Sequence, residues 1–218
     1  YDFKSNDSVT YYVGKMIATD SMSPAVYQSL GIIYTEFGWS TAAFPLMDSS
    51  ISIDSLNHET WKAVGSTYSA MGKDTFAINA YAMAWKIDST DAGINNLLGN
   101  AFFKLQDYET AKYLFEKAVQ KSPDNSVLLS NYAMALQYNK ETALAETFYK
   151  KAIWKDKKNA GAYFQLATLY APDKPAEALL NLKKATELGY TKADIEAEPM
   201  FSVLKDNAGF KLLMEKLK

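Results

Sequence analysis

The sequence predicts an all-α chain built as a solenoid of five helical hairpins, and three observations predict it. Small residues recur every 34 positions, at Gly31, Gly65, Gly99, Ala133 and Ala167. Large apolar residues keep the same spacing in neighbouring columns. Helix-capping residue types do so as well, at Ser23, Asn57, Asp91, Asn125 and Asn159. A fixed period of this length marks stacked supersecondary units, none of which can bury its apolar face alone.

The columns identify the packing. One residue before each small position stand Leu30, Val64, Leu98, Tyr132 and Leu166; three after it stand Tyr34, Tyr68, Phe102, Leu136 and Tyr170. Twelve after it stand Ala43, Ala77, Ala111 and Ala145, with Ala178 one position early. Met47, Tyr81, Phe115 and Tyr149 follow, then Ser50, Ala84, Ala118, Ala152 and Ala185. Two antiparallel helices approach closely only where Gly or Ala admits a large side chain from the neighbour. Glycine inside a helix costs about 1 kcal/mol against alanine, so its recurrence at 31, 65 and 99 predicts close helix contacts there.

Each cap opens a first helix by accepting from the first free backbone N–H groups. Pro24 suits the first helical position, where its missing donor is not needed. Breaks fall near Gly38, Gly72, Gln106, Asn139 and the stretch Ala171 to Pro175. Each repeat is therefore a helix of about 14 residues, a short turn and a second helix. In the fifth, Pro172 and Pro175 bracket the turn, and the second helix runs from near Ala176 to Gly189, a left-handed C-cap. Beyond it, Met200, Phe201, Val203 and Leu204, then Phe210, Leu212, Leu213, Met214 and Leu217, predict one or two short capping helices.

Residues 8–19 precede the first full repeat, and Val9, Val13 and Met16 fall in the register of a second helix whose first helix is missing. This predicts an incomplete N-terminal edge that promotes self-association and is completed by a longer native chain upstream of Tyr1 or by a partner. The alternative is a dedicated N-terminal cap, with Tyr11 and Tyr12 covering the first hairpin. The expected division is 1–23 as a half-repeat or capping helix, five repeats over 24–190 (24–57, 58–91, 92–125, 126–159 and 160–190), and 191–218 as capping helices.

Composition narrows the function. The net charge is −2 and the pI about 5.5, so no global field draws the chain to nucleic acid or anionic lipid. All 23 cationic side chains are lysine, and the bidentate guanidinium that reads bases and clamps phosphates is missing. No nucleic-acid partner is expected. Without cysteine there are no disulfides, thiolate metal sites or thiol nucleophiles. No apolar run approaches the roughly 20 residues that span a bilayer. A cysteine-free composition leans towards an exported bacterial protein over a cytoplasmic one and assigns no compartment.

The pattern resembles the tetratricopeptide repeat, with its period of 34 and its signature W-x2-L-G-x2-Y, A-x3-F, then Pro. Trp61, Val64, Gly65, Tyr68, Ala77 and Tyr81 carry the resemblance in the second repeat. In the third it rests on Leu98, Gly99, Phe102, Ala111, Phe115, Ala118 and Pro123, and only there does the terminal proline survive. The resemblance covers residues 24 to about 190 and implies a right-handed α-solenoid whose first helices line a concave, peptide-holding groove.

It places Gln28, Ser29, Ile32 and Glu36 in that groove from the first repeat, and Lys62, Ala63, Ser66 and Ser69 from the second. The third contributes Asn96, Leu97, Asn100, Phe103 and Lys104. The fourth contributes Ser130, Asn131, Met134, Gln137 and Tyr138, and the fifth Phe164, Gln165 and Thr168. Side-chain amides at Asn96, Asn100, Asn131 and Gln165 offer donor and acceptor together, a sequence-tolerant grip on an extended backbone. Phe103, Tyr138, Phe164, Met134 and Leu97 would supply apolar pockets between them. The clamp that chaperone-binding relatives close on a C-terminal carboxylate needs cations, but Gly161, Gln165 and Asn96 stand at those positions. A desolvated carboxylate would be poorly compensated there.

Other signals are weaker. His58, the single histidine, is expected at the surface beside the Asn57 cap. Gly65 to Lys73 has the wrong spacing for a phosphate loop, and Asp88, Asp91 and Gly93 are too few for a calcium loop. Lys150, Lys151, Lys155, Lys157 and Lys158 with Trp154 read as a solvated convex face. The expected function is a non-enzymatic protein-interaction scaffold, without metal or cofactor, that holds an extended, largely uncharged peptide. The alternative is a structural spacer whose groove is empty or filled by the protein itself.

Overall fold

The computed structural model describes residues 23–217, and every element among them is helical. Val9, Val13 and Met16, on which the incomplete N-terminal edge rests, lie outside the described residues. In chain order the helices are α1 (Pro24–Glu36), α2 (Ser40–Ile53), α3 (His58–Ala70), α4 (Asp74–Ile87), α5 (Ala92–Lys104), α6 (Tyr108–Lys121) and α7 (Ser126–Tyr138). They continue as α8 (Thr142–Lys155), α9 (Ala160–Tyr170), α10 (Pro175–Glu187) and α11 (Lys192–Ala197), a 3-10 helix (Pro199–Leu204) and α12 (Ala208–Lys216). None is long and apolar enough to cross a membrane. The chain divides into two compact units, residues 1–101 and 102–218, a division that the sequence pattern does not announce.

Four of the five predicted caps make their bonds. Asn57 accepts from the Thr60 N–H at 3.2 Å, Asp91 from Ile94 at 2.6 Å, Asn125 from Leu128 at 3.2 Å and Asn159 from Ala162 at 2.9 Å. Ser23 is extended but makes no side-chain cap bond, and Pro24 begins α1 without one. The turns within repeats use a left-handed residue at Gly38, Gly72 and Gln106, with φ of 79°, 70° and 63°. In the fourth repeat that conformation falls on Lys140 (φ 65°), one residue past the predicted break. Asn139 instead turns its amide onto the Ala135 and Tyr108 carbonyls, at 2.9 and 2.8 Å. Gly189 ends α10 at φ 116°, as its position predicts.

In the first unit, α1 packs on α2 and α3 on α4, while α3 also touches α1 and α2. Its core includes Leu30, Tyr34, Ala43, Leu46, Met47, Ala63, Val64 and Ala80. The small and large columns meet as expected: a Cβ on Gly31 would come 2.8 Å from Met47 Cγ, and one on Gly65 would overlap the Tyr81 ring. In the second unit, α7 packs on α8 and α9 on α10, with α9 also touching α7 and α8. Ala118, Ala145, Ala152, Ala178 and Ala185 are fully buried, as are Phe115 and Tyr149. The C-terminal segment forms α11, the 3-10 helix and α12, with Ile195, Phe201, Leu204 and Phe210 buried.

Candidate functional site

The first unit holds a cleft of about 310 Å³ between its first helices. Ile32, Thr35 and Glu36 line it from α1, Glu59, Lys62, Ala63, Ser66 and Thr67 from α3, and Leu97 from α5. These spacings of three and four put one stripe of each helix on the cleft. Six of the nine lining residues are predicted groove positions: Ile32, Glu36, Lys62, Ala63, Ser66 and Leu97. Thr35, Glu59 and Thr67 are not among the predicted positions. The two threonine hydroxyls share a hydrogen bond at 2.8 Å, and each also bonds a carbonyl of its own helix, so the cleft wall is polar but satisfied. Behind it, the Tyr81 hydroxyl donates to Ser66 Oγ at 3.2 Å, and burial pushes its pKa up. Asn96 and Asn100 are half-buried on α5 and do not line the cleft, although Asn100 lies one turn beyond Leu97.

Lys62 does not stand alone. Its ammonium lies 2.5 Å from Glu59 Oε1, which is also 3.2 Å from His58 Nε2. His58 is half-buried at the surface, and with Glu59 and Asp91 it could offer three metal-ligand atoms, all within 4.8 Å of one another. Each group is already engaged, because Lys62 supplies the cation to Glu59 and Asp91 caps α5. His58 and Glu59 also open α3, where the helix dipole disfavours a cation. The arrangement fits a polar clasp that orients Lys62 at the cleft edge better than a metal centre.

In the second unit the predicted residues do not form a single cluster. Phe103, Tyr108 and Tyr138 form an aromatic cluster with centroids 4.8–5.0 Å apart, and Tyr138 keeps 44% of its surface exposed. Burial raises the Tyr138 pKa, and the negative charge of Glu198 raises it further. Gln137 and Gln165 belong to an internal chain of hydrogen bonds. The Tyr149 hydroxyl donates to Gln137 Oε1 at 2.9 Å, Gln137 Nε2 donates to Thr168 Oγ1 at 3.3 Å, and Thr168 donates to the Gln165 carbonyl at 2.8 Å. Tyr149 is fully buried, and its pKa lies well above the ordinary value for that reason first. Asn131 and Met134 are half-buried on α7.

Phe164 corrects the expectation. It is 5% exposed, stacked on Tyr190 with centroids 4.2 Å apart, and met edge-on by Phe201. The chain's own C-terminal segment fills the pocket that Phe164 was expected to offer a partner. Lys150, Lys151, Lys157 and Lys158 are exposed, as is Trp154 at 67%, while Lys155 is half-buried. Lys155 lies over the Trp154 ring and pairs with Asp124, and Lys150 pairs with Glu146 at 2.6 Å. Part of that charge is therefore already neutralised.

Two-helix hairpins stacked through their first helices define an α-solenoid, a class that builds extended binding surfaces from repeats. Residues 92–125 match the family model of the tetratricopeptide repeat. No curated protein sequence matches the chain. Among solved structures it is similar to Pseudomonas aeruginosa PilF, at 19% identity over 79% of each chain with a TM-score of 0.72. It is similar to MamA from Desulfovibrio magneticus RS-1, at 15% identity over 76% of this chain and 94% of that one, with a TM-score of 0.67. YrrB, described as a TPR protein with an unusual peptide-binding site, is 18% identical over 81% and 91% of the two chains, with a TM-score of 0.65. At these identities the likeness establishes the fold.

Proposed function

We propose that the chain is a non-enzymatic protein-interaction scaffold whose first-helix face holds an extended, largely uncharged peptide segment of a partner protein. The reading takes residues 24–190 as five repeats and 191–218 as their cap. The observation that carries it is the cleft between α1, α3 and α5, with Ile32, Ala63 and Leu97 as apolar surface and Thr35, Ser66 and Thr67 as hydroxyl-bearing wall. A volume of about 310 Å³ gives room for one or two side chains of such a segment. YrrB's peptide-binding site lends support by analogy of fold. Asn96 and Asn100 on α5 would grip the peptide backbone beside the cleft. Asn131, Met134, Tyr138 and Phe103 would serve the same role on the second unit, with Gln165 as a secondary contact.

The test is selection of peptides from a random library on the purified chain, followed by titration of the selected sequences. Ile32→Glu and Leu97→Glu place a charge against the apolar wall and leave the core columns intact. Each should weaken binding by roughly ten- to a hundredfold, the equivalent of losing about one buried aliphatic side chain. Unchanged affinity in both variants would defeat the cleft reading. Failure to select any peptide would favour the structural spacer.

A further inference from the structure

The C-terminal end of the second unit carries an apolar groove that the fold leaves uncovered. Ala176, Leu179, Leu180 and Lys183 line it from α10, and Gly209, Leu212, Leu213 and Lys216 from α12, enclosing about 400 Å³. Both sets follow the same spacing of three, four and seven, so each helix presents one stripe, apolar along most of its length and ending in a lysine. Gly209 permits the close approach: a Cβ there would come 2.8 Å from Leu179 Cδ1. Leu180 is 70% exposed and Leu212 52%. Isolated exposed leucines need no explanation, but two that rim one groove between helical ridges do.

The charge around the groove selects its occupant. No carboxylate lines it, and among the described residues neither Lys183 nor Lys216 forms an ion pair. A second copy of the chain would bring the same two lysines and no lining carboxylate to answer them, because an isologous interface joins a patch to itself. Two helical ridges with a furrow between them accept a third helix by its apolar stripe. We propose that this groove docks an acidic amphipathic helix of a partner protein, its leucine-type side chains between Leu180 and Leu212 and its carboxylates on Lys183 and Lys216. This surface is separate from the first-helix cleft, and the two can be tested independently.

The probe is a labelled synthetic amphipathic helix with a leucine stripe flanked by glutamates, titrated against the full chain beside a counterpart flanked by lysines. The glutamate peptide should bind at least about tenfold more tightly, and the difference should shrink with salt. K183E/K216E should reverse the preference, and L180S/L212S should abolish binding of both peptides while leaving the helical circular-dichroism signal and melting unchanged. Equal binding of the two peptides, a preference that survives charge reversal, or no binding by either would overturn the proposal. So would sedimentation showing a wild-type dimer that L180S/L212S converts to monomer, since the occupant would then be a second copy.

Discussion

Gln106 and Lys140 hold a backbone conformation that glycine adopts at the corresponding turns, Gly38 and Gly72. A side chain in the left-handed region costs about 1–2 kcal/mol, because Cβ crowds the following carbonyl. Glycine removes that cost but adds freedom to the unfolded chain, so the two effects partly offset. Q106G and K140G should each raise the free energy of unfolding by roughly 0.5–1 kcal/mol, read from the urea midpoint at constant slope. A lowered midpoint would mean that the side chains contribute contacts outweighing the strain. At Gly65 the sign reverses. Alanine is the better helix former, yet its Cβ would overlap the Tyr81 ring inside a close-packed contact. G65A should therefore destabilise by about 1–3 kcal/mol, whereas propensity alone would predict a gain.

Between elements, Glu146 ties α8 to the end of α9 and the turn beyond it. Its carboxylate lies 2.6 Å from Lys150, accepts from the Tyr170 hydroxyl at 2.8 Å and meets Lys174 at 3.2 Å. The Lys150 bond first, then the Tyr170 hydroxyl, hold its pKa down at about 2, against an ordinary 4.5. The folded state thus favours the ionised form. The stabilisation is complete above the ordinary value and is lost as pH falls from there through about 2. E146Q should lower stability at neutral pH and flatten the acid limb of a stability profile; an unchanged acid limb would show that the tie contributes nothing. Ala118, fully buried on α6, tests the hairpin packing directly. A bulky replacement such as A118L should cost about 1–3 kcal/mol by overpacking, with a matching fall in melting temperature.

For the whole molecule, the two proposed surfaces differ in how salt should affect them. The first-helix cleft is lined mainly by hydroxyls and apolar groups, and of its three charged residues Lys62 is paired with Glu59, which leaves the charge of Glu36. Peptide affinity there should change little with ionic strength, whereas a helix held on Lys183 and Lys216 should weaken as salt rises. Titrating each ligand across a salt series separates the sites in one measurement. A steep dependence at the cleft would mean that charge carries its recognition after all.

What the sequence by itself determined is everything that repeats. The period, the small and large columns, the Asn and Asp caps and the glycine turns are local or periodic constraints, so spacing along the chain suffices to locate them. Even the lining of the first cleft was largely legible, because the resemblance to the tetratricopeptide repeat places Ile32, Lys62 and Leu97 on the groove face. Tertiary structure decided what depends on non-repeating neighbours. Tyr190 and Phe201 close over Phe164 because the C-terminal segment folds back onto α9, and no column of the repeat encodes that segment. Gln137 satisfies the buried Tyr149 hydroxyl, a demand visible only once Tyr149 is known to be enclosed. Leu180 and Leu212 face one groove because α12 settles against α10 where Gly209 lets it. Periodicity reports which side of a helix is apolar; only distance in three dimensions reports what, if anything, covers it.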